Sequence, residues 1–185
     1  RWRQLFLLDL AAGAPPDALF LGGQNWGLPP LSPIALRRDR YRYFIQCVRH
    51  HMSVAGMLRI DHVMGLFRLY CVPQGRPATD GVYIRYAYEE LLAIITLESV
   101  RAKCAVAGED LGTVPEVVRP AMTRHGLYRL HVGQWFFPSE LGGKPGTSPV
   151  EAVASLNTHD TPTFAGWWRG SDIDDKRDLG LVKPS

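Results

Sequence analysis

Cysteine is scarce in this sequence, and long apolar runs are missing from it. The 185 residues include three cysteines, Cys47, Cys71 and Cys104. An odd number without paired spacing argues against a disulfide framework, so we expect a reduced, cytoplasmic setting. No segment approaches the roughly 18 consecutive apolar residues that a membrane-spanning helix requires, and the first residues do not resemble a signal peptide. We therefore expect no membrane partner.

A block of like charge and a phosphate-binding loop are also missing. The 21 basic and 18 acidic residues give a net charge of +3 and are spread along the chain, which is too little to indicate a nucleic-acid partner. The glycines of residues 22–27 do not have the GxGxxG spacing of a nucleotide-binding loop. In a second glycine-rich segment Lys144 is followed by proline rather than by serine or threonine. Neither nucleic acids nor nucleotides are therefore expected as ligands.

The sequence does contain a carboxylate placed directly after an apolar segment. Residues 57–60 follow a glycine and read Met-Leu-Arg-Ile, which predicts a short strand, buried on both faces, with Asp61 at its carboxyl end. Because side chains alternate along a strand, Arg59 and Asp61 should project to the same side. An arginine this close favours the charged carboxylate, which suits it to attack a carbon or to stabilise a cation. A purely structural ion pair is the alternative.

Two later apolar segments run into acidic residues in the same way. The first ends in Glu109 and Asp110, and the second ends in Asp160. Consecutive residues of a strand face opposite ways, so Glu109 and Asp110 cannot both enter one pocket. Helical patterns separate the three segments, which favours a parallel βα arrangement with every strand end on one side. The sequence thus predicts three strands that deliver Asp61, Glu109 and Asp160 to that side.

The intervening helices follow from apolar residues at helical spacing. This spacing predicts one helix over residues 41–52, with Asp39 as its cap, and another over residues 87–103. A third helix starts near Pro115, but a proline in a helix interior costs about 3 kcal/mol. We therefore expect this helix to be interrupted and to restart at Pro120.

Two carboxylates on either side of a bond, with a third acid nearby, are the groups that glycoside chemistry uses at its cation-like transition state. Four motifs accompany these acids, and they read Gly23-Gln24-Asn25-Trp26-Gly27-Leu28-Pro29-Pro30, Leu58-Arg59-Ile60-Asp61-His62, Gly108-Glu109-Asp110-Leu111-Gly112 and Thr158-His159-Asp160. Through these motifs the chain resembles glycoside hydrolase family 77, the 4-α-glucanotransferases called amylomaltase or disproportionating enzyme. The motifs occur in the family's order and span most of the chain.

The resemblance implies an α/β fold that is part of a (β/α)₈ TIM barrel. A complete barrel needs about 250 residues, so the chain would supply about four βα units of it. We therefore expect residues 1–185 to form one partial catalytic barrel domain, with no second domain, inside a longer enzyme. The remainder of the same polypeptide would then supply the missing strands.

The resemblance also implies roles for the three acids and for the residues around them. Asp61 would be the nucleophile, Glu109 the acid and base, and Asp160 the transition-state stabiliser. These carboxylates would supply both nucleophile and proton, so no metal or organic cofactor is expected.

Five further residues are implied as substrate-binding positions. Arg59 would hold Asp61 charged, His159 and His62 would line the sugar site, and Asp17 and Trp26 would lie on a loop over it. The alternatives are structural histidines and, for Trp26, a loop aromatic that packs into the core.

The implied reaction is the transfer of a segment of an α-1,4-glucan donor to the 4-hydroxyl of glucose or a maltooligosaccharide acceptor. It would proceed by a retaining double displacement through a covalent glucosyl-enzyme. An α-glucan hydrolase of the amylase type would use the same acids, and a noncatalytic glucan-binding fragment is a third possibility. The acids do not decide between transfer and hydrolysis, and we expect the isolated chain to be inactive.

Overall fold

Residues 2–17, 20–137 and 146–180 are described by the computed structural model. The chain divides into two units, Arg1–Tyr128 and Arg129–Ser185, and helices and strands occur in both. The predicted mixed α/β class is therefore confirmed. Among the described residues, no helix combines the length and the apolar character needed to cross a membrane.

The first unit contains most of the regular structure. Its strands and α-helices, in chain order, are β1 (Leu10–Ala14), β2 (Gln24–Asn25), α1 (Pro33–Arg38), α2 (Arg42–Met52), β3 (Met57–Ile60), β4 (Arg68–Pro73), β5 (Val82–Arg85), α3 (Tyr88–Ala102), β6 (Ala105–Gly108) and α4 (Val118–Arg124). Short 3₁₀ turns at Arg3–Leu5, Val63–Leu66 and Ala78–Asp80 connect some of these elements. The predicted helices α2 and α3 are confirmed, but the predicted cap of α2 is wrong, because Tyr41 is its N-cap and Asp39 is the C-cap of α1.

Two strands of the first unit pair in parallel. Strand β3 lies beside β6, with Met57 opposite Ala105 and Ile60 opposite Gly108. This register places the carboxyl ends of both strands on one side, as the sequence predicts for the first two acids. The expectation that β3 is buried on both faces is wrong, because Met57 is 45% exposed. Within the described residues β3 pairs with a strand on one side only.

An antiparallel sheet in the same unit was not predicted from the sequence. Its four strands lie in the order β2-β1-β4-β5. The pairing of β1 with β2 places Gly13 opposite Asn25 and Ala14 opposite Gln24. A Cβ atom at Gly13 would lie 2.0 Å from the backbone oxygen of Gln24, so this close approach requires glycine. The sheet positions the segment that follows β2.

Apolar side chains from α2, α3 and α4 form the main core with β6 and the turn after β3. Its fully buried members include Met52, Val63, Leu92, Ile95, Val118 and Met122. The predicted helix start near Pro115 is wrong, because α4 begins at Val118, two residues before the predicted restart at Pro120. Pro120 is the third residue of the helix, where its missing N–H has no partner within the helix to lose.

A buried carboxylate links α2 to α3. Glu98 is 4% exposed, and it accepts hydrogen bonds from Arg49 Nε at 2.7 Å and Nη2 at 2.9 Å, and from Arg101 Nη1 at 3.0 Å. The hydrogen bonds from Arg49 are the main reason that the pKa of Glu98 lies below its usual value. The ionised carboxylate therefore stabilises the fold above the pKa of an unfolded glutamate, and this contribution is lost as the pH falls through the lowered value.

Replacing Glu98 with glutamine should lower the unfolding midpoint at pH 7 by about 2–4 °C, because the two arginines lose their charged partner. The difference from the unsubstituted chain should shrink as the pH is lowered towards 3, where the carboxylate becomes protonated. Thermal unfolding followed by circular dichroism at several pH values measures both effects. Glu116→Gln, at an exposed position, is the matched control, and an equal loss in that variant would contradict the prediction.

The second unit is smaller and contains a second parallel pair. Strands β7 (Arg129–Val132) and β8 (Ala152–Ser155) run in the same direction, and α5 (Phe164–Arg169) and α6 (Ser171–Asp178) follow them. The predicted strand before Asp160 is thus confirmed as β8. An aromatic cluster packs near α5, with ring centroids 5.6–6.4 Å apart among Phe137, Phe164, Trp167 and Trp168.

Candidate active site

Asp61 leaves the carboxyl end of β3 as an exposed carboxylate. Its Oδ1 lies 2.6 Å from Nη1 of Arg59, and its side chain is 73% exposed. The predicted same-side projection of Arg59 and Asp61 is therefore confirmed. Ion pairs this exposed contribute about 0–1 kcal/mol to stability. The pair leaves Asp61 open to solvent and therefore to a ligand.

Glu109 leaves the carboxyl end of β6 and is held by backbone groups from both strand ends. The N–H of His62 donates to its Oε2 and the N–H of Leu111 donates to its Oε1, each at 2.8 Å. Its own N–H donates to the oxygen of Ile60 at 2.8 Å, and its oxygen accepts from the N–H of Val63 at 3.0 Å. These four hydrogen bonds fix both the backbone and the carboxyl group of Glu109.

The neighbouring acid faces the other way. Asp110 is 1% exposed, and its Oδ2 accepts a hydrogen bond from Arg119 Nε at 2.9 Å. The prediction that Glu109 and Asp110 cannot share one pocket is consistent with this arrangement, since one carboxyl is buried against α4 and the other is directed to the turn after β3. Asp110 thus has a structural environment, and Glu109 is the acid at the strand end.

A glycine sets the distance between these two segments. Gly108 ends β6, and a Cβ atom there would lie 2.8 Å from Cγ2 of Val63 and 2.9 Å from Cε of Met122. The absence of a side chain lets the strand end approach the turn that carries His62. The hydrogen bonds to Glu109 depend on this approach.

His62 has a backbone conformation that is rare for its residue type. Its φ of 45° and ψ of 61° lie in the left-handed region, which costs about 1–2 kcal/mol for a residue with a side chain. Its half-buried imidazole meets the ring of Trp26 edge to face, with centroids 5.2 Å apart. Burial lowers the pKa of His62, although the negative charges of Glu109 and Asp61 act in the opposite direction. Burial therefore favours the neutral imidazole.

Trp26 is placed by the antiparallel sheet. Its N–H donates to the oxygen of Ala12 at 2.8 Å, directly after β2, and its Nε1 donates to Oε1 of Gln24 at 3.1 Å. The side chain is 36% exposed, so Trp26 is not a core residue. One edge of its ring system packs on His62 while the remainder is available to a ligand.

Asp17 stabilises the turn at the start of the same loop. Its Oδ1 accepts a hydrogen bond from the N–H of Phe20 at 2.6 Å, and its own N–H donates to the oxygen of Phe20 at 3.1 Å. The N–H of Gly23 donates to the same oxygen at 2.8 Å. Local geometry therefore gives Asp17 a role in shaping the loop that precedes Trp26.

The third acid lies in the second unit, after β8. Asp160 is exposed, and its Oδ2 is 3.3 Å from Nε2 of His159, a contact that is ionic only when the imidazole is protonated. The N–H of Asp160 donates to Oγ1 of Thr158 at 3.3 Å, and that of Thr158 donates to Oγ1 of Thr161 at 2.9 Å. These side-chain contacts order the turn that carries His159 and Asp160.

Gln134 is a polar residue of the second unit that the sequence reasoning did not select. Its N–H donates to the oxygen of Leu156 at 3.0 Å, so it joins the segments that follow β7 and β8. The side chain is 3% exposed, and within the described part of the chain its Oε1 has no hydrogen-bond partner. No sequence pattern distinguishes this glutamine from a surface residue.

Five of the eight predicted site residues thus make contacts with one another within the first unit. Arg59 contacts Asp61, and His62 contacts both Trp26 and Glu109. Across the described ranges, no group of three or more histidine, cysteine, aspartate or glutamate side chains is arranged to hold a metal ion. What the first unit offers is two carboxyl groups from adjacent strand ends, one exposed and one held by backbone amides, beside an aromatic surface.

Comparison with known proteins gives consistent matches along the whole chain. The family model for glycoside hydrolase family 77, described as 4-alpha-glucanotransferase, matches residues 1–182. The 4-alpha-glucanotransferase of Haemophilus influenzae is 41% identical over 180 residues, which are 96% of this chain and 26% of that protein. The protein of the same name from Mycobacterium tuberculosis is 39% identical over 179 residues, or 94% of this chain and 25% of that protein. The chain thus spans about a quarter of the length of these curated relatives.

Solved structures give the same result. The amylomaltase from Corynebacterium glutamicum superposes with a TM-score of 0.83 at 34% identity, covering 96% of this chain and 25% of that one. The amylomaltase from Streptococcus agalactiae, solved in complex with acarbose, superposes with a TM-score of 0.78 at 21% identity, covering 98% of this chain and 39% of that one. The second likeness extends to the fold alone.

Proposed function

Because this chain belongs to the 4-alpha-glucanotransferase family, we propose that it is the part of a longer glucan-transferring enzyme that carries the catalytic acids. The donor would be an α-1,4-glucan, and the acceptor would be the 4-hydroxyl of glucose or a maltooligosaccharide. The remainder of the same polypeptide would complete a (β/α)₈ barrel around the strands of this chain. The three free cysteines suit a cytoplasmic location.

One observation carries this proposal. Asp61 and Glu109 follow the adjacent parallel strands β3 and β6 at the same end, and the N–H of His62, the residue after Asp61, donates to the carboxyl group of Glu109 at 2.8 Å. Active sites of barrel enzymes are built at the carboxyl ends of strands. The two acids differ in environment, because Asp61 is exposed while Glu109 is held by backbone amides.

In the first step of the proposed mechanism, an oxygen of Asp61 attacks the anomeric carbon of the donor. The glycosidic carbon–oxygen bond breaks as the new ester bond forms, and Glu109 gives its proton to the departing sugar oxygen. In the second step, the acceptor hydroxyl attacks the same carbon and releases Asp61, while Glu109 takes the proton of that hydroxyl. Two inversions at one carbon retain the α configuration.

The remaining site residues would hold the nucleophile, stabilise the transition state or position the sugar. Arg59 would hold Asp61 in place through their ion pair, in which Oδ1 of Asp61 lies 2.6 Å from Nη1 of Arg59. Asp160 would stabilise the cation-like transition state, with His159 bonded to sugar hydroxyls. His62 and Trp26 would form one wall of the site, and Asp17 would support the loop of Trp26. No step needs a group other than these side chains.

Incubation of the longer enzyme with maltotriose tests the proposal. Transfer produces glucose together with maltooligosaccharides longer than the donor, whereas an amylase-type hydrolase produces only shorter sugars. A noncatalytic glucan-binding fragment would leave maltotriose unchanged. The 185-residue chain alone should show little or no turnover, since open sheet edges and apolar faces would be left without the remaining barrel strands. Rapid turnover by that chain would contradict the last expectation.

Replacing Trp26 with alanine should lower the ratio of transfer to hydrolysis by roughly 2- to 10-fold, because aromatic contacts are worth about 0.5–1.5 kcal/mol beyond the area they bury. An acceptor sugar loses its stacking surface in this variant, while water does not depend on it. The ratio is measured from the release of glucose and reducing ends from maltotriose. Trp26→Phe keeps an aromatic surface and is the matched control. An unchanged ratio in the alanine variant would show that Trp26 does not select the acceptor.

A further inference from the structure

The hydrogen bond from the backbone of His62 to Glu109 links two parts of the first unit that are far apart in sequence. The residue directly after Asp61 places its N–H 2.8 Å from Oε2 of Glu109. The next N–H, that of Val63, lies 3.0 Å from the backbone oxygen of Glu109. Two successive amides of one turn therefore bind Glu109, the first at its carboxyl group and the second at its backbone oxygen.

The left-handed conformation of His62 is part of this geometry. With φ at 45° and ψ at 61°, the chain turns sharply after β3 and enters the 3₁₀ turn Val63–Leu66. Glycine and asparagine adopt this conformation readily, whereas β-branched residues resist it. The imidazole is packed against Trp26.

We propose that His62 is a positioning residue for Glu109, which acts through its backbone N–H by holding one carboxyl oxygen in the orientation needed for proton transfer. The other oxygen is held from the β6 side by the N–H of Leu111. The inference rests on the proposed function, since the orientation of Glu109 matters only if that residue transfers a proton. It differs from a role of the imidazole as a sugar contact, because the two roles depend on different atoms.

Two glycosyl donors distinguish the backbone role of His62 from the role of its imidazole in the longer enzyme. Maltotriose needs a proton on its departing oxygen, so its turnover depends on the acid. In α-maltotriosyl fluoride, attack by Asp61 on the anomeric carbon breaks the carbon–fluorine bond, and fluoride leaves as an anion without a proton. We therefore compare single-turnover rates of the first step, namely release of glucose from maltotriose and release of fluoride from the fluoride. The ratio of these two rates measures proton donation, because the later step in which Glu109 acts as base does not enter it, and a general loss of folded enzyme does not change it.

The variants His62→Val, His62→Asn and His62→Gly should give different ratios. In the valine variant the backbone leaves the left-handed region, and the ratio should fall by about 10²-fold, the lower range of what a positioned general acid contributes. The asparagine and glycine variants keep the backbone and should keep the ratio within about threefold, whatever they lose in KM through the missing imidazole. His62→Ala replaces the valine variant if that protein does not fold.

Two reference variants distinguish failure of the positioning role of His62 from failure of the proposed function. Lys103→Val introduces the same backbone strain at another left-handed residue, with φ of 53° at the end of α3, and should leave the ratio unchanged. Glu109→Gln must lower the ratio strongly, and if it lowers the first-step rates of both donors equally, the proposed role of Glu109 as the acid fails. If Glu109→Gln behaves as expected but all three His62 variants lower the ratio alike, or the valine variant leaves it unchanged, the positioning role is wrong.

Discussion

Replacing Asp61 with asparagine in the longer enzyme is expected to lower kcat for maltotriose disproportionation by at least about 10⁴-fold, since a covalent catalyst that loses its nucleophile can lose on the order of 10⁶-fold. The amide is a far weaker nucleophile than the carboxylate, and it cannot form the ester with the anomeric carbon. The neutral amide also leaves Arg59 without its ionic partner at 2.6 Å. Because Asp61 is exposed, the substitution should leave the unfolding midpoint almost unchanged.

Asp80→Asn is the matched control for this variant. Asp80 also forms an ion pair with an exposed arginine, at 2.6 Å from Nη2 of Arg76, but it lies in the turn before β5 and not at a parallel strand end. Mass spectrometry of the acid-quenched enzyme should detect a glycosylated peptide that contains Asp61, and the asparagine variant should lack it. Retention of more than a tenth of the activity in Asp61→Asn would exclude Asp61 as the nucleophile.

Replacing Gly13 with alanine is expected to disrupt the antiparallel sheet and, with it, the position of Trp26. The added Cβ would lie 2.0 Å from a backbone oxygen of Gln24, and neither strand can avoid this contact by rotating a side chain. We expect the free energy of unfolding to fall by about 1–3 kcal/mol, with a loss of transfer larger than that of Trp26→Ala. Denaturant unfolding of the chain and the maltotriose assay of the longer enzyme measure the two effects.

Gly22→Ala is the control for Gly13→Ala, since nothing lies within 4 Å of a Cβ atom at Gly22. Both positions belong to the same sheet and loop region, so the comparison isolates the contact from the general effect of replacing a glycine. Equal stability of the two variants would show that β1 and β2 are not held at the described distance.

The parts of the fold that could be predicted are those with local signals. Strands β3, β6 and β8 were found because each is a short apolar segment that ends in polar residues. The antiparallel sheet was missed because its signal is not local. Strand β1 reads Leu-Ala-Ala-Gly-Ala and β2 has two residues, so neither has a strong strand propensity. Both strands depend on pairing with partners elsewhere in the chain.

The candidate site was predicted in its residue types but not in its connections. The alternation of strand side chains was enough to place Arg59 beside Asp61 and to separate Glu109 from Asp110. The contact of Trp26 with His62 could not be predicted, because 36 residues separate the two rings in sequence and the antiparallel sheet brings them together. The left-handed conformation of His62 has no sequence signal either, since the residues that usually mark it are glycine and asparagine.

The burial of Asp110 has a consequence for the order of the two acids. Its carboxyl group occupies a closed space beside Arg119, so a side chain one methylene longer would have to displace its neighbours. Glu109 needs its full length to reach the amides of His62 and Leu111, and a side chain one methylene shorter would withdraw from them. Exchanging the two acids would therefore conserve composition and charge. It would nevertheless disrupt the packing at position 110 and the hydrogen bonds at position 109.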